Sequence, residues 1–168
     1  MRTLILFRHA KAVRAHEAPS DEARGLTGRG RREARLAGAA MAAAGLSPTI
    51  ALVSTAQRTR ETAALALENF KLETRFEDAL YHAAPESIWD AVSGEDENAS
   101  IVVVGHNPGI GELVSLLVRQ AHDGSRLARE FTLGFPTSAF AAFEIKGDLL
   151  TAAGPRLITA WKPPREGG

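Results

Sequence analysis

Four side chains dominate the chemistry open to this chain: Arg8, His9, Arg58 and His106. Arg8-His9 follows the apolar run Leu4-Ile5-Leu6-Phe7, and Gly105-His106-Asn107-Pro108 follows Ile101-Val102-Val103-Val104. Between them Ser54-Thr55-Ala56-Gln57-Arg58-Thr59-Arg60-Glu61-Thr62 follows Ile50-Ala51-Leu52-Val53. Each phrase falls where a short buried strand ends and the chain must turn, which is where open α/β sheets present reactive groups. Two imidazoles and two guanidiniums in one crevice make a cationic, donor-rich site, and arginine forks suit a phosphoryl group. A neutral imidazole flanked by guanidiniums resists protonation, so His9 could attack phosphorus and hold it as a phosphohistidine. His106 has two readings, a cationic donor to the phosphoryl oxygens or the nucleophile itself. The donor role is preferred, because Arg8 is the immediate neighbour of His9 and Gly105 suggests close backbone approach at the pocket rim. Ser54 and Asn107 are further candidate phosphate contacts, with turn or helix-cap roles as the plainer reading of each.

The elements that position these groups alternate. Leu4–Phe7, Ile50–Val53, Leu72–Phe76 and Ile101–Val104 read as strands, and helices are expected from Thr27 to Gly45, Gln57 to about Phe70, Pro85 to Val92 and Pro108 to about Gln120. Ala34, Ala37, Met41 and Ala44 form the apolar face of the first helix, with Gly45 as its stop. Thr55 or Ser54 is the expected cap of the second helix and Asn107 that of the fourth. Residues 10–26 lack periodicity and read as a loop, and Asp123–Arg129 as a polar connection. Ser138–Ile145 and Arg156–Trp161 read as two more strands joined through Lys146-Gly147-Asp148, a hairpin-like signal. This pattern implies an α/β three-layer sandwich: a mostly parallel central sheet with antiparallel C-terminal strands and helices on both faces. Residues 1–162 are expected to form one domain, and 163–168 a frayed tail.

Bulk composition narrows the partners. At 168 residues the chain can bury roughly 70% of the surface its unfolded form exposes. Twenty Lys plus Arg balance twenty Asp plus Glu, so nothing marks a nucleic-acid or anionic-membrane surface. There is no cysteine, hence no disulfide, thiolate nucleophile or cysteine-based zinc site. No stretch approaches a membrane span or a signal-peptide core, and cytoplasm is the expected location. The five histidines lack zinc-protease spacing and an accompanying carboxylate cluster, so neither metal nor other cofactor is expected.

Arg8-His9-Ala10, Ser54-x-x-x-Arg58-x-x-x-Thr62 and Gly105-His106-Asn107-Pro108 together resemble the histidine phosphatase superfamily, which has the phosphoglycerate mutase-like fold. Leu26-Thr27 with Gly30 and Ala34 resembles the family's first-helix entry, and the short chain with Leu80-Tyr81-His82-Ala83 resembles its SixA-type phosphohistidine phosphatase branch. The resemblance implies His9 as nucleophile and Arg8, Arg58 and His106 as the phosphate pocket. Ala10 and Thr55 depart from the glycine and proline usual in that family, and neither change removes a functional group. Mutase-like relatives place a glutamate general acid after the third strand, and the matching stretch here offers His82, with Glu77 and Asp78 earlier. An alkoxide leaving group needs such an acid, whereas phosphohistidine needs it less. The expected substrate is therefore phosphohistidine in a protein such as a phosphorelay component. A small phosphate ester is the enzymatic alternative, with His82 or Glu77 protonating the leaving oxygen, and a non-catalytic phosphate-binding module is the alternative from another class.

Overall fold

The computed structural model describes residues 1–148 and 154–165. Its centre is a six-stranded sheet of β1 (Arg2–Arg8), β2 (Ile50–Ser54), β3 (Glu73–Glu77), β4 (Ser100–Gly105), β5 (Phe140–Ile145) and β6 (Arg156–Trp161). The strand order is β3-β2-β4-β1-β5-β6. β1·β4, β2·β4 and β2·β3 pair in parallel, and β1·β5 and β5·β6 pair antiparallel. The α/β architecture implied by the sequence, with antiparallel strands at its C-terminal side, is thus found. Five helices accompany the sheet: α1 (Gly28–Ala43), α2 (Gln57–Ala66), α3 (Pro85–Ser93), α4 (Gly109–Ala121) and α5 (Arg126–Leu133).

The inner strands β1, β2 and β4 are apolar on both faces because both faces are covered. Leu4, Leu6, Leu52, Ile101 and Val103 pack with Ile88 of α3, Leu113 and Leu117 of α4, and Phe131 of α5. Ile5, Phe7, Ala51, Val53 and Val102, one residue out of phase, pack with Ala37 and Met41 of α1 and Ala63 of α2. Helices α1 and α2 touch almost backbone to backbone at Gly38, where an added Cβ would lie 2.0 Å from the carbonyl oxygen of Ala66. α1 is bounded as its sequence suggests. The Thr27 hydroxyl accepts the Gly30 N–H at 3.0 Å, and Gly45 ends the helix at φ +77.

Several local expectations are corrected. Asp123–Arg129 is not merely a connection, since α5 begins at Arg126, capped by the Ser125 hydroxyl. Its two buried residues, Ala128 and Phe131, give too thin a stripe to stand out in sequence. Ala44 is exposed at the end of α1. The cap position of α2 is Ala56, without a side-chain bond, and Thr59 turns its hydroxyl back to the carbonyls of Ser54 and Ala56. α2 also ends at Ala66, short of Phe70. Pro108 rather than Asn107 holds the cap position of α4. Strand β5 starts at Phe140, preceded by Ser138 at φ 66. The expected turn between the last two strands starts in described residues but continues through 149–153, outside them, as are 166–168 of the expected tail.

Candidate active site

Sheet register creates the site. Arg8 of β1 is paired with Gly105 of β4, so His9 and His106 are each the next residue past the ends of adjacent parallel strands. Neighbouring strands lie about 4.8 Å apart, and the two imidazole centroids are 5.3 Å apart. β2 flanks β4 on the other side and ends at Ser54. Arg58 follows in the first turn of α2. Thr62, one turn later, locks this helix to the first motif: its hydroxyl donates to the Arg58 carbonyl at 2.7 Å and accepts the Ala10 N–H at 3.0 Å.

His9 is 8% exposed. Its Nδ1 lies 2.7 Å from the Ala10 carbonyl oxygen. A carbonyl only accepts, so Nδ1 carries the proton and the neutral ring keeps a lone pair on Nε2. Burial, with the positive charges of Arg8, Arg58 and Arg24, pushes the His9 pKa down to about 4. His106 is likewise buried, and desolvation together with His9, Arg58 and His82 lowers its pKa to about 3. His106 is therefore neutral near pH 7, whereas the sequence reading took this donor as cationic. A neutral ring still offers one N–H.

Ser54 supplies a partner for this ring. It is fully buried, with Oγ 2.8 Å from His106 Nε2, so its hydroxyl is engaged by the imidazole. With the hydroxyl donating to Nε2 the His106 proton sits on Nδ1, and with Nε2–H donating to Oγ it is Nδ1 that holds the lone pair. Asn107 has protein partners as well: its amide N–H donates to the Phe135 carbonyl at 2.8 Å and its oxygen accepts the Gly111 N–H at 3.0 Å. It ties the start of α4 to the segment after α5. The polar groups of both expected phosphate contacts are thus taken up by protein partners.

The three remaining groups share a trait. Arg8 Nε, Arg58 Nε and His106 Nδ1 are buried and have no hydrogen-bond partner. Leaving a buried polar atom unpaired costs about 1–3 kcal/mol, and these three belong to side chains that act on one another's charge. Arg8 is anchored by Nη1 on the Phe135 carbonyl at 3.0 Å. Arg58, 2% exposed, is anchored on Asp21 through its carbonyl at 2.8 Å and carboxylate at 3.1 Å.

Asp21 was not legible in the sequence. It lies in the irregular loop after β1, and its carboxylate also accepts from Arg24 at 3.0 Å, from His82 Nε2 at 3.3 Å and from the Tyr81 hydroxyl. The Tyr81 hydrogen bond and the two arginines hold its carboxyl well below the usual range. The only available signal was an Asp-x-x-Arg pair in the loop that follows the first motif. His82 reaches the cluster at the rim, its ring 5.5 Å from that of His106. Glu77 lines a separate cavity with Leu52, Ser87 and Asp90, and Asp78 lies exposed in a single 3₁₀ turn. His16 and His122 face solvent. Among the described residues no three His, Asp or Glu side chains converge as a metal site, and no helix is long and apolar enough to cross a membrane.

A mixed α/β sheet whose parallel strand ends gather two neutral histidines and two anchored arginines defines an enzyme that works on phosphoryl groups. The comparisons agree. Residues 4–84 match the profile of the histidine phosphatase superfamily (branch 1). An uncharacterized protein of Mycobacterium tuberculosis is 33% identical over 142 residues, which span 84% of this chain and 88% of that protein. The solved chain named SixA from Nakamurella multipartitia is 32% identical, with a TM-score of 0.82 over 96% of each chain. The protein histidine phosphatase SixA in complex with tungstate shares the fold, with a TM-score of 0.70 at 22% identity over 94% of this chain and 95% of that one. This chain belongs to the histidine phosphatase superfamily, in its SixA-type branch, and is a phosphatase.

Proposed function

We propose that this phosphatase removes the phosphoryl group from phosphohistidine in a protein, without a metal, through a covalent adduct on His9 Nε2. The observation that carries the reading is the set of buried, partnerless polar atoms, Arg8 Nε, Arg58 Nε and His106 Nδ1, gathered around an imidazole whose Nε2 holds a lone pair. With Ser54 donating to His106 Nε2, two guanidiniums and the Nδ1–H stabilise the equatorial oxygens of a transferring phosphoryl group by hydrogen bonds.

The leaving group argues for nitrogen. The carboxylate that reaches the cluster, Asp21, is ionised and acts only as an acceptor. An ester would leave as an alkoxide and needs a strong positioned acid. Phosphohistidine does not: as the bond from phosphorus to His9 Nε2 forms, the substrate P–N bond breaks. With its other nitrogen protonated, the substrate ring departs as neutral imidazole. Water then attacks phosphorus, the P–Nε2 bond breaks, and both water protons leave with the phosphate. His9 returns neutral with Nδ1–H still on Ala10. His82 at the rim is the candidate proton donor for substrates that need one.

The surroundings support a protein substrate. An open cleft of about 730 Å³ begins at Arg8 and passes Leu133, Phe135 and Pro136 to Lys162 and Arg165. Leu133 is 92% exposed, the most exposed large apolar residue among the described ones. An apolar knob beside a cationic site suits a second protein's surface better than a small polar ester. The test is turnover of a phosphohistidine protein beside sugar phosphates and an aryl phosphate, in chelator, by wild type and His9→Ala. Preference for the phosphohistidine protein, lost in His9→Ala, is the expected result. A clear preference for the sugar phosphates would overturn the substrate, and turnover surviving in His9→Ala the mechanism.

A further inference from the structure

Resting on the reading above, we propose that Asp21 is a positioning residue of the reaction: from the loop after β1 it aims Arg58 at the phosphoryl group and ties Tyr81 and His82 into the same wall of the site. A guanidinium carries five N–H donors in one plane. Asp21 takes two of them from different nitrogens, Nη1 on its backbone carbonyl at 2.8 Å and Nη2 on its carboxylate at 3.1 Å. Contacts at both terminal nitrogens fix the plane and its rotation, and Nε is left buried and free of partners. The Arg58 side chain is only 3% exposed. A cation so buried needs a facing anion, and Asp21 provides it.

The carboxylate also gathers elements that share no sheet pairing. Arg24 reaches it at 3.0 Å while its own Nε holds the Val13 carbonyl at 2.8 Å, which folds the loop back on itself. Tyr81 and His82 reach it from the turn after β3, and both rings stand 5.5 Å from His106. One charge therefore joins the loop following His9 to the wall beside His106. Asp21 does this without presenting a donor to the substrate, so it acts through Arg58.

The experiment is a double-mutant cycle of Asp21→Asn and Arg58→Ala, assayed with an aryl phosphate so that the identity of the natural substrate does not enter. Asp21→Asn keeps the shape and the backbone carbonyl but removes the charge. It is expected to lower kcat/KM about tenfold or more in the wild-type background and less than about twofold in Arg58→Ala, the signature of a residue acting through its partner. Equal losses in both backgrounds, or a wild-type rate in Asp21→Asn, would overturn the proposal. If Arg58→Ala is too slow to follow, the Arg58 Nε–H resonance decides. It should be sharp and shifted by inorganic phosphate in wild type and broadened in Asp21→Asn; an unchanged signal overturns the proposal. Activity surviving in His9→Ala would instead defeat the reading on which this one rests.

Discussion

Replacing Ser54 with alanine separates support from contact. The structure places this hydroxyl against His106, fully buried and 2.8 Å from Nε2. Alanine fits the same space, so little packing is lost, but Nε2 becomes a buried nitrogen without a partner. That costs about 1–3 kcal/mol of stability, equivalent to roughly 2–10 °C in Tm for a chain of this size. The catalytic cost follows from the proton. Without the serine donor the His106 proton is no longer held on Nδ1, and the ring is free to turn, so the transition state loses an aimed N–H. We expect kcat to fall about 10- to 100-fold, or roughly 1.4–2.7 kcal/mol of barrier. KM for an aryl phosphate should change little, because the hydroxyl is engaged by the imidazole. Thermal unfolding and steady-state kinetics on the same preparation measure both. A raised KM with unchanged kcat and Tm would show that Ser54 binds substrate, and the assignment of His106 Nδ1 as donor would fail with it.

Three further outcomes follow from named contacts. The His9 pKa is depressed to about 4, so below pH 6.5 the unfolded chain takes up a proton that the folded one refuses. Stability is full above 6.5 and falls toward pH 4, by roughly 3 kcal/mol for this group. Urea unfolding at pH 7 and pH 5 should show a smaller loss in His9→Asn than in wild type, and equal losses would refute the burial argument. Leu133→Asp should cut kcat/KM for a phosphohistidine protein about tenfold or more while leaving the aryl phosphate rate unchanged; equal rates on the protein substrate would remove the cleft from recognition. Gly38→Ala should destabilise by about 1–3 kcal/mol, because its Cβ would lie 2.0 Å from the Ala66 oxygen; an unchanged Tm would show that α1 and α2 separate freely.

The strand-end motifs were legible because a parallel sheet covered on both faces writes itself as short apolar runs, and the residue after each run lies at one edge. Arg8, His9 and His106 needed nothing more than that register. The burial of Ser54 was also within reach: Leu52 and Ser54 share a face by the two-residue period, and Leu52 is core. Asn107 was harder, since its partner Phe135 is 28 residues away. Asp21, Arg24 and Tyr81 lie in irregular segments, where no period reports which side chains meet. The charge state of His106 depends on burial and on four neighbours, His9, Arg58, His82 and Asp21, a sum that no local pattern carries.

The most direct test of the central claim is to locate the phosphoryl group in flight. Wild-type protein mixed with a phosphohistidine protein and quenched in alkali, where phosphorus–nitrogen bonds survive, should carry one phosphoryl group on Nε2 of His9, absent in His9→Ala and discharged by acid. A phosphoryl group found instead on His106 or on an oxygen of serine or aspartate, or turnover with no adduct under rapid quench, would contradict the account.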